Sequence, residues 1–470
     1  MKAIPPQGSM SHWTTFHNVI SNELTSTPQT RHGLNPANKQ PNAEVPVSTQ
    51  EDLDHAVAAA PTGFKKWSKV PLEARRAALL AYADALDAHK DQFTQLLTQE
   101  QGKPLSQAST EIDFSVVWIK GAVEVKLTDT VIEDSKEQTI IQRYTPLGVA
   151  AGIVPWNYPI ILAIQKVISA VYAGNCIIIK PSPYTPYYDL KLAELATQFF
   201  PPGVIQALSG DDDLGPMITA HPGIDKISFT RSTVTGRKVM ASCAQTLKRV
   251  TLELGGNDPA IVCEDVDIDA VLPKIGIFTF LTSGQICVSI KRIYVHERIY
   301  DEFCDKLVAF AKSLKIGAGT DPDTFFGPIQ NAMQYEKAKD LIGSIASENL
   351  TIALDGKIEG PEGYFIHPVI VDNPPETSRV VVEEPFAPII PLMKWSEEDD
   401  MIARANDTGM GLGAIAEQIQ AGIVWINTHF ELRPHVPVAA QKGSGIGSKF
   451  GVDWMKSFCN SQTIWIKKDL

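Results

Sequence analysis

Apolar positions change their spacing twice along the chain. Residues 1–47 show no period, are polar and rich in Pro and Asn, and predict an arm with short strands. Ser48 and Glu51 have the spacing of a capping box, so a helix is expected over Glu51 to Ala60. Leu72, Leu79, Tyr82 and Leu86 fall on one face at helical spacing, the stripe of a core-facing helix. From Gly148 short apolar runs alternate with helical stretches. Val149 to Val154, Cys176 to Ile179, Val204 to Leu208 and Ile224 to Phe229 read as strands. Ile161 to Tyr172 and Leu190 to Phe199 read as helices, and another helix holds Gly236. A second alternating series begins near Leu252, with strands expected at Ala260 to Val262, Arg292 to His296, Ile389 to Lys394 and Ile423 to Asn427. This alternation predicts an α/β protein built on doubly wound parallel sheets. Ligands in such sheets bind at the carboxyl ends of the strands.

Bulk properties narrow the picture. A chain of 470 residues exceeds what one core supports, so two or more domains are expected. A net charge of −12 argues against nonspecific contact with nucleic acid or anionic membranes, which want a basic face. The 6 cysteines form no CxxC pair and no Cys/His cluster. No metal site and no disulfide scaffold is expected, and the pattern suits a reducing compartment. The start of the chain lacks a signal-peptide core, and the final Lys-Lys-Asp-Leu matches neither a peroxisomal nor an ER-retention signal. A cytoplasmic location is expected. Thr145 to Gln165 carries no charge, but Pro146, Pro155, Pro159 and Asn157 interrupt it. Strand, turn and buried helix fit better than a membrane span.

Several short segments carry candidate chemistry. Asn157, between two prolines after a strand, can donate its amide to a developing oxyanion, or simply satisfy its own turn. Lys180 stands at a strand's carboxyl end, where it reaches a ribose or phosphate, or only solvent. Thr230 to Gly236 joins a strand to a helix whose free N–H groups favour a pyrophosphate. Glu253, flanked by Leu252 and Leu254, suits a desolvated general base, or an exposed strand face. The Gly255-Gly256 pair after it permits close approach. Cys287 follows Ser283-Gly284-Gln285-Ile286, a setting no other cysteine shares, although buried thiols are mostly inert. Glu383-Glu384 is either a solvated pair or a holder of ribose hydroxyls.

Taken in order, the segments PWNYP, LELGG, SGQIC and EEPF resemble the aldehyde dehydrogenase superfamily from about His32 to the C-terminus. KPSP, LELGGNDP and NTHFEL resemble fungal members most. The resemblance implies a dinucleotide-binding domain of residues 1–122 and 143–251 and a catalytic domain of residues 252–441. Residues 123–142 and 442–470 would form a small β-arm for assembly into a homodimer or homotetramer. It implies oxidation of a small-molecule aldehyde to the acid, with NAD, or NADP, as cofactor. Cys287 would be the nucleophile, Asn157 and the Cys287 backbone N–H the oxyanion donors, and Glu253 the base that activates water. Lys180, Ser232, Gly236, Trp156, Gln334, Lys337, Glu384 and Phe386 would hold the cofactor.

The chain also departs from the family pattern. Pro183 stands where many members carry Glu on the adenosine ribose, which leaves the choice between NAD and NADP open. Arg231 replaces a Gly near the cofactor and would either obstruct it or pair with phosphate. The stretch from Ala414 to Gly422 is too short for the usual strand–helix crossover. Val438-Ala439-Ala440, Gly443 and Ala387 are further replacements. The resulting alternative is a catalytically impaired or silent homologue acting through assembly or ligand binding. An acyltransferase to coenzyme A is a third reading, which an intact Glu253 disfavours. Trp118, Trp156 and Phe430 either line an apolar path to the site or belong to the core.

Overall fold

The computed structural model describes residues 13–358, 362–414 and 418–468. Two sheets dominate it. The first has eight strands in the order Glu23–Thr25, Asn18–Ile20, Ile205–Ala207, Cys176–Lys180, Val149–Ile153, Lys226–Thr230, Arg249–Glu253 and Gly445–Ile446. Its five central strands run parallel, and the outer strands are antiparallel. Strand order reverses between Val149–Ile153 and Lys226–Thr230, so a crevice opens at their carboxyl ends. The second sheet runs Asp258–Val262, Ile290–His296, Ile389–Trp395, Val369–Asp372 and Thr351–Leu354, all parallel but the last. Helices cover both sheets and bury their apolar faces in separate cores. The fold is α/β, as the alternation predicts.

A third sheet of three strands, Cys459–Lys467, Gln138–Pro146 and Thr130–Asp134, leaves Val131, Ile132, Trp465 and Ile466 exposed. No described helix is long and apolar enough to cross a membrane. The Thr145 to Gln165 stretch divides into a strand end, the buried Val149–Ile153 strand, a turn and the Pro159–Tyr172 helix.

Several boundaries differ from expectation, each for a tertiary reason. The first long helix is capped one residue later, by Thr49 and Asp52, and runs through Pro61 to Trp67. Ser48 is unavailable as a cap because its hydroxyl donates to Ser209 O (2.6 Å) and accepts from Asn18 (2.9 Å). The helix expected from Leu190 starts at Tyr187, where buried Glu100 accepts from the N–H groups of Tyr187 (3.0 Å) and Tyr188 (3.2 Å). The expected strand Ile423 to Asn427 shrinks to Ile423–Val424, which pairs only with Gly413–Ala414 and stays outside the main sheets. The short crossover explains this. Residues 418–422 form no helix that could carry the strand back to the sheet, while 415–417 lie outside the described residues. Residues 1–12 of the expected arm also lie outside them, and the rest supplies four short strands.

Buried Glu111 repeats the Glu100 device. It accepts from the N–H groups of Ile160 (3.0 Å) and Ile161 (3.2 Å), and so caps the helix that follows Asn157. Lys103, fully buried, pairs with Glu111 at 2.5 Å and donates to Asn157 O at 3.0 Å. Its ammonium also lies 3.6 Å from the centre of the Tyr158 ring. These contacts hold the turn that presents Asn157. Replacing Lys103 with Met strands the Glu111 charge in the core and should cost about 3–5 kcal/mol of stability. Urea unfolding measures it. A loss below about 1 kcal/mol would show that the pair does not brace the turn.

Candidate active site

The loop around Cys287 is held residue by residue. Thr282 and Ser283 adopt left-handed backbone angles, φ 51° and 55°. Ser283 donates to Gly327 O (2.8 Å). Gly284 has φ 72°, and a Cβ there would collide with Ala387 O, so no other residue fits. The Gln285 amide donates to Thr282 O (3.0 Å) and Pro328 O (3.3 Å) and accepts from Gln330 N (3.0 Å). Ile286 is buried. Asn157 Nδ2 donates to Gln285 O at 2.9 Å, and its second amide hydrogen remains for an oxygen in the cavity. His429 bonds Val288 O at 3.0 Å from the other side, and burial pushes its imidazole down to about 4.

Cys287 Sγ stands 3.8 Å from Glu253 Oε1. Burial pushes its thiol up to about 11, and the Lys291 ammonium partly opposes that rise. The other Glu253 oxygen has two direct partners, one of them backed by a lysine. Thr230 Oγ1 donates to Oε2 (3.1 Å), Lys166 Nζ donates to Thr230 Oγ1 (2.7 Å), and the Lys449 ammonium contacts Oε2 directly. The leucine-flanked base expected from sequence therefore has a cation against it. Lys449 and Lys166 escape a sequence reading in different ways. Lys166 is the one charge in the apolar Pro159–Tyr172 helix, which is a usable signal. Lys449 lies in the segment read as arm, where nothing marks it.

Asn157, Cys287, Glu253 and Lys449 border one cavity of about 250 Å³. Its other walls include Phe114, Trp118, Leu162, Phe430 and Phe450. Trp118 and Phe430 thus line the site. Trp156 does not, and packs edge-on against Phe386 with ring centres 5.3 Å apart.

The residues expected to hold a cofactor fall into two groups. Lys180 is buried at its strand end, bonded to Pro181 O (3.1 Å), with two ammonium hydrogens to spare. Burial and the Arg231 charge push it down to about 8. Ser232 caps the Thr233–Ala244 helix through Thr235 N. Gly236 packs where any Cβ would strike Leu254. Arg231 turns its guanidinium toward Asp212, 4.0 Å away. Pro183 lies in a tight turn closed by Thr185 N and Ser182 O (3.1 Å).

The second group gathers around Glu384, whose Oε1 accepts from Gly256 N (3.2 Å) and pairs with Lys291 (3.2 Å). Gln334 donates to Pro385 O (2.9 Å) and Phe386 O (3.2 Å), and Lys337 donates to Glu384 O (3.1 Å). Both side chains brace the Glu384–Phe386 backbone. Lys291, which also donates to Cys287 O (2.5 Å), was not singled out by the sequence. Among the described residues no His, Cys, Asp or Glu cluster suits a metal ion.

A thiol raised to about 11 should react slowly at neutral pH in the free protein. Iodoacetamide labelling of Cys287, followed by peptide mass spectrometry, should accelerate roughly tenfold per pH unit up to the highest pH the fold survives. A rate already level below about pH 8 would contradict this environment.

Comparison with known proteins agrees with the geometry. The pattern of the aldehyde dehydrogenase family matches residues 24–464. Aldehyde dehydrogenase LUC3 of Fusarium sp is 36% identical over 470 residues, covering 97% of this chain and 100% of that protein. The NAD+ complex of aldehyde dehydrogenase from Bacillus cereus superposes with a TM-score of 0.94 at 30% identity, covering 97% of each chain. An NADP-dependent enzyme of E. coli gives 0.93 at 31% identity, covering 96% of this chain and 98% of its own. The chain belongs to the aldehyde dehydrogenase family.

Proposed function

We propose that this protein oxidises an apolar aldehyde to the carboxylic acid, with NAD or NADP as hydride acceptor. The observation that carries the reading is Cys287 Sγ, 3.8 Å from Glu253 Oε1, on the wall of an apolar cavity. The Cys287 thiol gives up its proton to solvent water as Sγ bonds to the aldehyde carbon. Negative charge gathers on the aldehyde oxygen, where the free amide hydrogen of Asn157 and the Cys287 backbone N–H can receive it. When bound, the dinucleotide supplies the hydride acceptor that turns the Cys287 hemithioacetal into a thioester. Glu253 then takes a proton from water, whose oxygen attacks the thioester carbon and releases Sγ.

The cofactor reading rests on this chain's own groups. Lys180 keeps unused donors at the first sheet's crevice, the Thr233–Ala244 helix aims its N-terminus there, and Glu384 stands near the thiol. The neighbour from Bacillus cereus is a NAD+ complex and that from E. coli is NADP dependent. Arg231 leans toward Asp212, which supports a role beside the cofactor more than obstruction of it. Glu253 within reach of the thiol favours hydrolysis over transfer to coenzyme A.

The cavity walls set the expected preference. Each buried methylene is worth about 0.8 kcal/mol, so kcat/KM should rise about fourfold per methylene along a series of straight-chain aldehydes until the cavity fills. NADH or NADPH formation measures this, and Cys287→Ala should abolish it. Absence of turnover in the wild type, with no heat of NAD or NADP binding, would instead favour a silent homologue.

A further inference from the structure

The contact between Lys449 and Glu253 has no counterpart in the sequence motifs, and it falls on the residue proposed as the base. Lys449 reaches it by a defined path. Gly445–Ile446 pairs antiparallel with Leu252–Glu253, so the chain first runs beside the base's own strand. It then turns, and Ser448–Lys449 pairs with Val438–Ala439. Phe450, at φ 65°, is wedged between Trp118 and Trp454, with ring centres 5.0 and 5.7 Å away. That wedge fixes the backbone from which the Lys449 side chain projects. Both side chains are shielded, with 10% of Lys449 and 14% of Glu253 exposed. Glu253 Oε2 is occupied by Lys449 and Thr230, which leaves Oε1 toward Cys287.

We propose that Lys449 is the positioning residue of the base: its ammonium pins Glu253 Oε2 and keeps the carboxylate ionised, so Oε1 can take a proton from water at lower pH than an unpaired buried carboxylate allows. The proposal rests on the reading of Glu253 as the base that activates water.

The surrounding charges leave that role to Lys449. Lys166, from the Pro159–Tyr172 helix, reaches Thr230 and not the carboxylate. Burial pushes its ammonium down to about 7. Glu111, on the Leu105–Ala122 helix, is neutralised by Lys103. Lys291 is committed to Glu384 and to the Cys287 carbonyl. Cys287 is held as a thiol and Tyr158 as a phenol, both by burial. Burial and Lys166 press the Lys449 ammonium well below an ordinary lysine, and contact with Glu253 opposes that pressure.

Lys449→Met and Lys449→Gln remove the charge, the second while keeping a hydrogen-bond donor. Lys449→Arg retains it. The acid limb of steady-state turnover should move up by about one to three pH units in Met and Gln, and stay near wild type in Arg. On that limb each unit is about a tenfold loss of turnover. The first-turnover burst of NADH, which does not need water activated, should change far less. An acid limb that stays in place in both uncharged variants would overturn the proposal. A second readout needs no turnover. The infrared C=O stretch of protonated Glu253, identified by its loss in Glu253→Gln, should appear at higher pH in Lys449→Gln than in wild type. An unchanged titration would also overturn the proposal. A wild type with no NADH burst would sink the reading of function, and the infrared titration would still decide this one.

Discussion

The site depends on the absence of two side chains where the sheets meet. Arg249–Glu253 belongs to the first sheet and Asp258–Val262 to the second, and residues 254–257 cross between them. A Cβ on Gly255 would collide with the Glu384 carboxylate, and one on Gly256 with the Cys287 carbonyl. Glycine therefore lets three elements close on one another. Glu253 arrives from the first sheet. Cys287 and Glu384 arrive from loops of the second. Any side chain at the crossing would push the thiol and the base apart, and catalytic geometry tolerates little displacement.

Charge is distributed around that crossing in matched pairs. Lys103 answers Glu111, Lys291 answers Glu384, and Lys449 answers Glu253. Among the described residues the thiol has no ammonium in direct contact, and burial keeps it protonated. Each pair also does mechanical work. Lys103 and Glu111 hold the Asn157 turn, Lys291 ties Glu384 to the Cys287 carbonyl, and Lys449 leaves one oxygen of Glu253 facing sulfur. A nucleophile that stays protonated until its substrate arrives is protected from adventitious oxidation.

What the sequence revealed was local. Asn157, Glu253, Cys287 and Glu384 each sit in a contiguous turn or strand end, and contiguous residues carry their own geometric signature. The alternation of apolar runs likewise marked both sheets. What it hid was nonlocal. Glu100 and Glu111 cap helices 87 and 49 residues away, and no window of sequence joins them. Lys449 lies 196 residues from Glu253. Gln334 and Lys337 were expected to hold the cofactor, and their bonds to the backbone carbonyls of residues 384–386 depend on how the loop folds. The Ile423 strand was expected from its apolar run and lost most of its length because the crossover before it is short.

The proposed chemistry requires that Cys287 bond to the substrate's carbonyl carbon and that Glu253 be needed to break that bond. Intact-mass and peptide mapping of Glu253→Gln, mixed with an apolar aldehyde and the oxidised cofactor, tests both at once. The expected result is an adduct on Cys287 weighing the aldehyde less two hydrogens, which is the acyl thioester. No adduct, or one on another residue, would contradict it.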